Sequence, residues 1–409
     1  MPLSDLQIQT LARDAVQRAA AGDFAGAEPL LAQVAEARPN SGQALHLLGQ
    51  ARLKLGRFAE AREPLERAAK FLPKEAAAQV NLAGCLSVLG DHAAALAALD
   101  RAQRLKPGDA AIAHNKGRSF EALGRLDEAE HAYNEALSID HRLMPSLSAR
   151  ASLLEKRGDW MGAMADLDMA LTSRPNDPHL RLRRGELLLR QGDWLRGLPD
   201  HEARLEIDGD RYRPDLPAWQ GEALTGRLLV YPEQADIESD AALRDTLMLA
   251  RGVDAVVQCP TRLTALLDLP TLERGAALDG FAAAAPLRSL PHLLGWALEA
   301  LPAPGALRSA TRASARVGWF TDRSPPAGAE IETRPDHVAE CGLVVGGDTW
   351  PVHLAARLGL PTIVLLPAGA DWLWGPRVGP SPWYQSAEVL AADDAAALDA
   401  AVASRLSLS

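Results

Sequence analysis

The first half of the chain repeats one pattern of apolar and polar positions. Within each segment apolar residues return every three or four places, the spacing that lines one face of a helix. Glycine interrupts the pattern at Gly22, Gly56, Gly90, Gly124, Gly158 and Gly192, always 34 residues apart. Alanine keeps the same step at Ala27, Ala61, Ala95, Ala129 and Ala163. Proline does so at Pro39, Pro73, Pro107 and Pro175, with His141 in the remaining place. The unit is therefore helix, glycine turn, helix, proline. Glycine takes the left-handed backbone that ends the first helix, and proline stops the second. Gly49, Gly117 and Gly185 on first helices, and Ala68, Ala102, Ala136 and Ala170 on second helices, let partners approach closely. One helix pair cannot bury its apolar face alone, so the pattern predicts an all-α solenoid of six stacked repeats over residues 8–208. The first and sixth repeats are the least regular, as end caps are. The sixth, GDWLRGLPDHEARLE, carries Gly197 where the others have alanine, and is expected to dock the next domain.

Beyond residue 208 the period stops. Asp, Gly and Pro crowd residues 209–226, which read as a linker between a domain of residues 1–208 and one of 227–409. From Arg227 the apolar runs become short and continuous: RLLV, DAVVQCP, SARVGWF, CGLVVGG and PTIVLLP. AALRDTLMLARG reads as a helix between the first two, and DDAAALDAAVASRL as a closing helix. This predicts an α/β, Rossmann-like region with parallel strands, in lobes of residues 227–313 and 314–409. The stretch VVGGDTWPVHLAARLGLP is the most informative. Asp348 or Thr349 is placed to cap a helix, Pro351 suits its first turn, and Gly359 ends it. The N-terminus of such a helix offers free N–H groups and a partial positive charge to a diphosphate. Gly346 and Gly347 would let a ligand approach the backbone, and His353 lies one turn in, on the side that could reach it.

Composition narrows the function classes. Hydrophobic residues make up 47% and charged residues 23%, so the chain can bury a core. A net charge of −10 argues against a general nucleic-acid binder. Cys85, Cys259 and Cys341 are far apart and odd in number, which fits buried small hydrophobes rather than disulfides or a zinc site. No metal is expected, since no histidines pair at helical spacing. No apolar run is long enough to span a membrane, and the N-terminus lacks a basic segment followed by an apolar one. A cytoplasmic location is the expectation. The sequence leaves the oligomeric state open.

The 34-residue unit resembles the tetratricopeptide repeat. That resemblance implies a concave groove that grips a protein partner as an extended peptide, lined by the inner faces of the first helices. The lining positions here hold His46, Gln50, Asn81, His114, Asn115, Arg118, Ser152 and Glu155. Asn81 and Asn115 are one repeat apart, and asparagines so placed can hydrogen-bond a peptide backbone without reading its side chains.

The segment DTWPVHLAARLGLPTIVLLP resembles the D-T-x-x-x-H-L-A segment of bacterial heptosyltransferase-like glycosyltransferases, which have the two-lobed GT-B fold. WQGEALTGRLLVYPEQ, APLRSLPHLLG, ARVGWF, ADWLW and SPWY match the glycosyltransferase-like domain that often follows such repeats in bacteria. The resemblance covers residues 217–390. It implies a nucleotide-sugar site at Gly347, Asp348, Thr349 and His353, with Trp372, Trp374, Trp383 and Tyr384 in loops packed nearby. No other cofactor is expected. Two departures count against turnover. The family's E-Q-G-L-G-D loop is here EQADIESD, without either glycine. Only 183 residues follow Gly226, where two full lobes would need about 250, so the GT-B-type domain reads as truncated. Glu233, Glu238, Asp240 and His292 are candidates for a general base by position only, and the catalytic residues stay unassigned. Two readings remain: an interaction scaffold with a degenerate, enzyme-like domain, or a nucleotide-sugar-dependent protein glycosyltransferase, for example one that modifies flagellin.

Overall fold

The computed structural model describes residues 3–207, 209, 211–251, 254–259, 261–264, 267, 269–297, 301–302, 316–325, 330–367, 370 and 378–406. The chain divides into two compact units, Met1–Arg174 and Pro175–Ser409.

The first unit holds five antiparallel helix pairs: α1 (Asp5–Ala20) with α2 (Phe24–Ala37), α3 (Gly42–Lys54) with α4 (Phe58–Phe71), α5 (Ala76–Val88) with α6 (His92–Leu105), α7 (Ala110–Ala122) with α8 (Leu126–Ile139), and α9 (Met144–Lys156) with α10 (Trp160–Ser173). The turn glycines do what the pattern asks. Those from Gly22 to Gly158 have φ between +72° and +82°, where a Cβ would strain the backbone. Asp23, Asp91 and Asp159 then cap the second helices through their side chains. Gly49 lies so close to Leu65, and Gly117 to the Tyr133 ring, that an added Cβ would sit 2.4 Å from each. Apolar clusters run through neighbouring pairs rather than within one, as Leu31, Leu45, Leu48 and Ala68 do.

The second unit begins with the sixth pair, α11 (Pro178–Arg190) and α12 (Trp194–His201), followed by a 3-10 turn at Glu202–Glu206. Two sheets follow. The first contains β1 (Arg227–Tyr231), β2 (Val256–Gln258), β3 (Thr271–Leu272) and β4 (Phe281–Pro286), all parallel, in the order β3-β2-β1-β4. Helices α13 (Asp240–Leu249), α14 (Thr261–Thr264) and α15 (Leu290–Leu293) accompany it. The second contains β5 (Arg316–Phe320), β6 (Glu330–Glu332), β7 (Leu343–Gly346), β8 (Thr362–Leu366), β9 (Gly379–Pro380) and β10 (Ala387–Ala391), in the order β6-β5-β7-β8-β10-β9. Only β9 runs antiparallel there. Helix α16 (Trp350–Arg357) joins β7 to β8, and α17 (Ala395–Leu406) closes the described chain.

One apolar cluster joins the two sheets through α13 and α16, with Val230 and Ala285 from the first sheet and Val344 and Val364 from the second. The outer face of the second sheet is covered by Leu398 and Val402 of α17. Leu189, Trp194 and Leu198 of the sixth pair belong to the shared cluster, and Trp194 stacks on Trp383 with ring centroids 5.9 Å apart. Packing thus assigns the sixth repeat to the α/β unit. The segment expected as a linker is also tied down. Tyr212 and Leu216 cover the outer face of the first sheet, and the Trp219 N–H donates to the Ala284 carbonyl at 2.9 Å.

Candidate functional site

Two places were marked by the sequence, one in each unit. In the first unit the groove positions lie on α3, α5, α7 and α9. His46, Gln50, Asn81, His114, Asn115, Ser152 and Glu155 are half-buried, and Arg118 is exposed. Several bond across repeats. Asn81 Nδ2 meets His46 Nε2 at 2.7 Å, so the ring nitrogen accepts. His114 Nδ1 meets Ser146 Oγ at 3.0 Å. Burial pushes both imidazoles below their ordinary value, and Arg118 adds to this at His114. They are neutral donors and acceptors rather than cations. The Asn115 amide has no hydrogen-bond partner among the described residues. The row therefore offers mostly uncharged polar groups at a spacing of one repeat, with the positive Arg118 and the negative Glu155 among them.

In the second unit the marked stretch folds as β7, a tight turn and α16. Gly346 is required by packing, because a Cβ would come 2.8 Å from the Phe320 carbonyl oxygen and 2.7 Å from Val352. Gly347 has room, its nearest neighbour being the Leu365 carbonyl oxygen at 3.9 Å. Thr349 is the N-cap, yet its hydroxyl makes no capping bond and has no partner among the described residues. The helix is met instead by a carboxylate of its own chain. Asp240, at the start of α13, accepts the Trp350 N–H at 3.0 Å. Arg244 pairs with Asp240 at 2.9 Å and with Asp348. Asp348 in turn accepts from His353 Nε2 at 2.8 Å. With the proton held on Nε2, Nδ1 is the acceptor for the Tyr384 hydroxyl at 3.1 Å. Burial pushes the Tyr384 phenol up to about 12, so it keeps its proton as donor. Asp240, Arg244, Asp348, His353 and Tyr384 form one chain of bonds.

The sequence singled out Asp348, His353 and Tyr384, and the structure brings them together. It missed Arg244, which sits in α13 beside Asp240 and Asp245 with no local signal of its partner across the chain. The candidate bases are occupied or apart. Glu233 is buried and held by Arg204 at 2.7 Å. Glu238 accepts from the Thr261 N–H at 2.6 Å and from Arg262 at 3.0 Å, capping α14. Asp240 is committed as described, and His292 is exposed on α15. The EQADIESD loop has no residue with positive φ. Arg274 clamps it by donating to the carbonyls of Pro232, Gln234 and Ala235. Trp372 and Trp374 lie outside the described residues. Among the described residues no cluster of histidine, cysteine and carboxylate could hold a metal.

Tetratricopeptide repeat models match residues 18–83, and residues 67–110, 86–143 and 148–212. The N-terminal region carries tetratricopeptide repeats. Similar solved structures include a thermophilic tetratricopeptide repeat protein of Thermus thermophilus, at 27% identity, 44% of this chain, 99% of that chain and TM-score 0.37. MamA from Desulfovibrio magneticus aligns at 18% identity, 42% and 97% coverage and TM-score 0.39. PilF of Pseudomonas aeruginosa aligns at 17% identity, 48% and 91% coverage and TM-score 0.43. No curated protein matches the chain. No described helix is long and apolar enough to cross a membrane.

Proposed function

We propose that the protein is an interaction scaffold whose repeats hold an extended segment of a partner protein, and whose α/β region is a truncated GT-B-type, glycosyltransferase-like domain without turnover. The repeats, their polar row and the open Asn115 amide support the first half. Asp240 supports the second. Its carboxylate takes the α16 N–H that a donor diphosphate would need, and a second carboxylate, Asp348, lies on the same arginine. A diphosphate entering there would meet two negative charges at short range, which disfavours it.

The glycosyltransferase reading keeps one observation on its side. The unpartnered Thr349 hydroxyl and the open space at Gly347 sit beside the Asp348–His353 pair. Calorimetric titration with nucleoside diphosphates and nucleotide sugars separates the two. The scaffold reading expects no heat from the wild-type protein at millimolar ligand. Saturable binding that His353→Ala abolishes would reverse the choice and make the site a working donor pocket.

A further inference from the structure

The 34-residue period exposes one residue out of place. Gln79 of α5 occupies the position held by Leu45, Ala113 and Leu147 one or two repeats away, and all three of those are buried and apolar. Gln79 is just as deep, at 4% exposure. Its Nε2 donates to the Ala69 carbonyl of α4 at 3.3 Å. That bond fixes which end of the amide is which, and Oε1 is left without a partner among the described residues. A buried amide with one end unmet costs stability that leucine would not.

The residue lines a notch of about 330 Å³ between the C-terminal ends of α4 and α6. Lys70, Arg101 and Arg104 stand around it, with Pro73 and Leu105 as apolar walls. No aspartate or glutamate lines it among the described residues. None of the three cations makes an ion pair or a side-chain hydrogen bond among the described residues. Other arginines of α4 are paired, Arg62 with Glu66 and Arg67 with Glu63. Lys70 and Arg104 sit in the last turns of their helices, where a cation suits the carbonyl ends. Arg101 lies a turn earlier and has no such role. Gln79 and Asn81 are two residues apart, so they face nearly opposite sides of α5. The notch is therefore separate from the groove row.

The two demands differ in kind. The cations call for an anion, and Oε1 calls for a hydrogen-bond donor. A sulfate or a bare carboxylate meets the first and not the second. A DNA strand brings phosphates on a backbone that carries no donor. An acidic peptide meets both: its carboxylates match the guanidinium forks, and each of its residues other than proline carries a backbone N–H. The methylene stem of a glutamate suits the Pro73 and Leu105 walls.

We propose that this notch binds an acidic peptide segment of a protein partner, with carboxylates at Lys70, Arg101 and Arg104 and one backbone N–H on the Gln79 carbonyl. The site stands or falls independently of the groove. The full-length protein titrated with a labelled, capped oligo-L-glutamate in fluorescence polarisation tests it, beside the backbone-N-methylated analogue and an oligothymidylate of equal length. Oligoglutamate is expected to bind saturably and more tightly than either. Gln79→Leu installs the residue type of Leu45, so the fold should be kept, which circular dichroism checks. Binding should then weaken about tenfold, and N-methylation of the peptide should cost nothing further. Arg101→Gln together with Arg104→Gln should also weaken it about tenfold. Arg142→Gln, a charge lost from an exposed place on a later repeat, should leave it unchanged. Absence of saturable binding, or affinity unchanged in Gln79→Leu or in the arginine double variant, overturns the proposal. Tighter binding of oligothymidylate overturns it in favour of a nucleic acid.

Discussion

The sixth helix pair should be the place where one added methyl does most damage. At Gly185 on α11 a Cβ would lie 2.7 Å from the His201 nitrogen, 2.9 Å from the Gly197 oxygen and 3.0 Å from the Asp200 carbonyl carbon. All three are backbone atoms, so no side-chain rotation relieves the contact. Helix α12 must move, and it carries Trp194 and Leu198 into the α/β core. Overpacking of this kind costs about 1–3 kcal/mol. Alanine returns up to about 1 kcal/mol over glycine within a helix. With only backbone to yield, Gly185→Ala should lose about 1–2 kcal/mol net. Gly84 on α5 is the matched control, since nothing lies within 4 Å of its added Cβ. Gly84→Ala should gain about 0.5–1 kcal/mol. Urea unfolding followed by tryptophan fluorescence reads the first variant well, because eight of the nine tryptophans follow Arg174. Circular dichroism, dominated by the repeats, reads the second. A Gly185→Ala protein as stable as wild type, or a Gly84→Ala protein less stable than Gly185→Ala, would refute the packing argument.

Three further outcomes are expected. Burial, helped by Arg204, Arg288 and Arg211, holds the His201 imidazole well below its ordinary value of 6.5, so the folded state keeps it neutral. The unfolded chain takes up a proton below that pH, so stability should fall as pH drops from about 6.5, by up to about 1.4 kcal/mol per unit. His201→Gln should make that slope shallower in melts between pH 6.5 and 5, with His46 and His114 supplying part of what remains. A partner peptide, once identified, should bind the Asn81→Ala, Asn115→Ala double variant more weakly by about 1–3 kcal/mol in fluorescence polarisation. Full-strength binding would move the groove elsewhere. Arg244→Met leaves Asp240 and Asp348 facing each other without their shared cation, so it should destabilise the α/β unit by about 1–3 kcal/mol, read as an earlier fluorescence transition. No change would mean that the ion pairs are dispensable.

The repeats were legible because their determinants are local. A glycine that must take positive φ and a proline that must end a helix recur whatever the neighbours do. Strands β1, β2, β5, β7 and β8 were legible for a similar reason: each is a short apolar run between turn residues, and the 343–366 region reads as strand, helix, strand; β3, β4, β6, β9 and β10 were not read from the sequence. What the sequence hid was long-range pairing. Asp240 and Trp350 are 110 residues apart, and no spacing rule announces that one answers the other. Gly346 looked like room for a ligand and is room for Val352 and the β5 backbone. Arg251 and Arg357 carry no local signal of their burial at the wall of one cavity. The sixth repeat kept its period in sequence while its packing went over to the α/β unit.

That last feature bears on how such a chain can be re-engineered. A solenoid repeat contacts its neighbours and little else. Repeats within the first unit are therefore interchangeable cassettes of 34 residues, which can be removed, duplicated or swapped in whole multiples to lengthen or re-tune the groove. The sixth is not a cassette. Its Trp194 is committed to Trp383, and Gly185 and Gly197 fit only each other's helices. A graft point for a foreign repeat array lies at Pro175, and α11 and α12 must travel with the α/β unit.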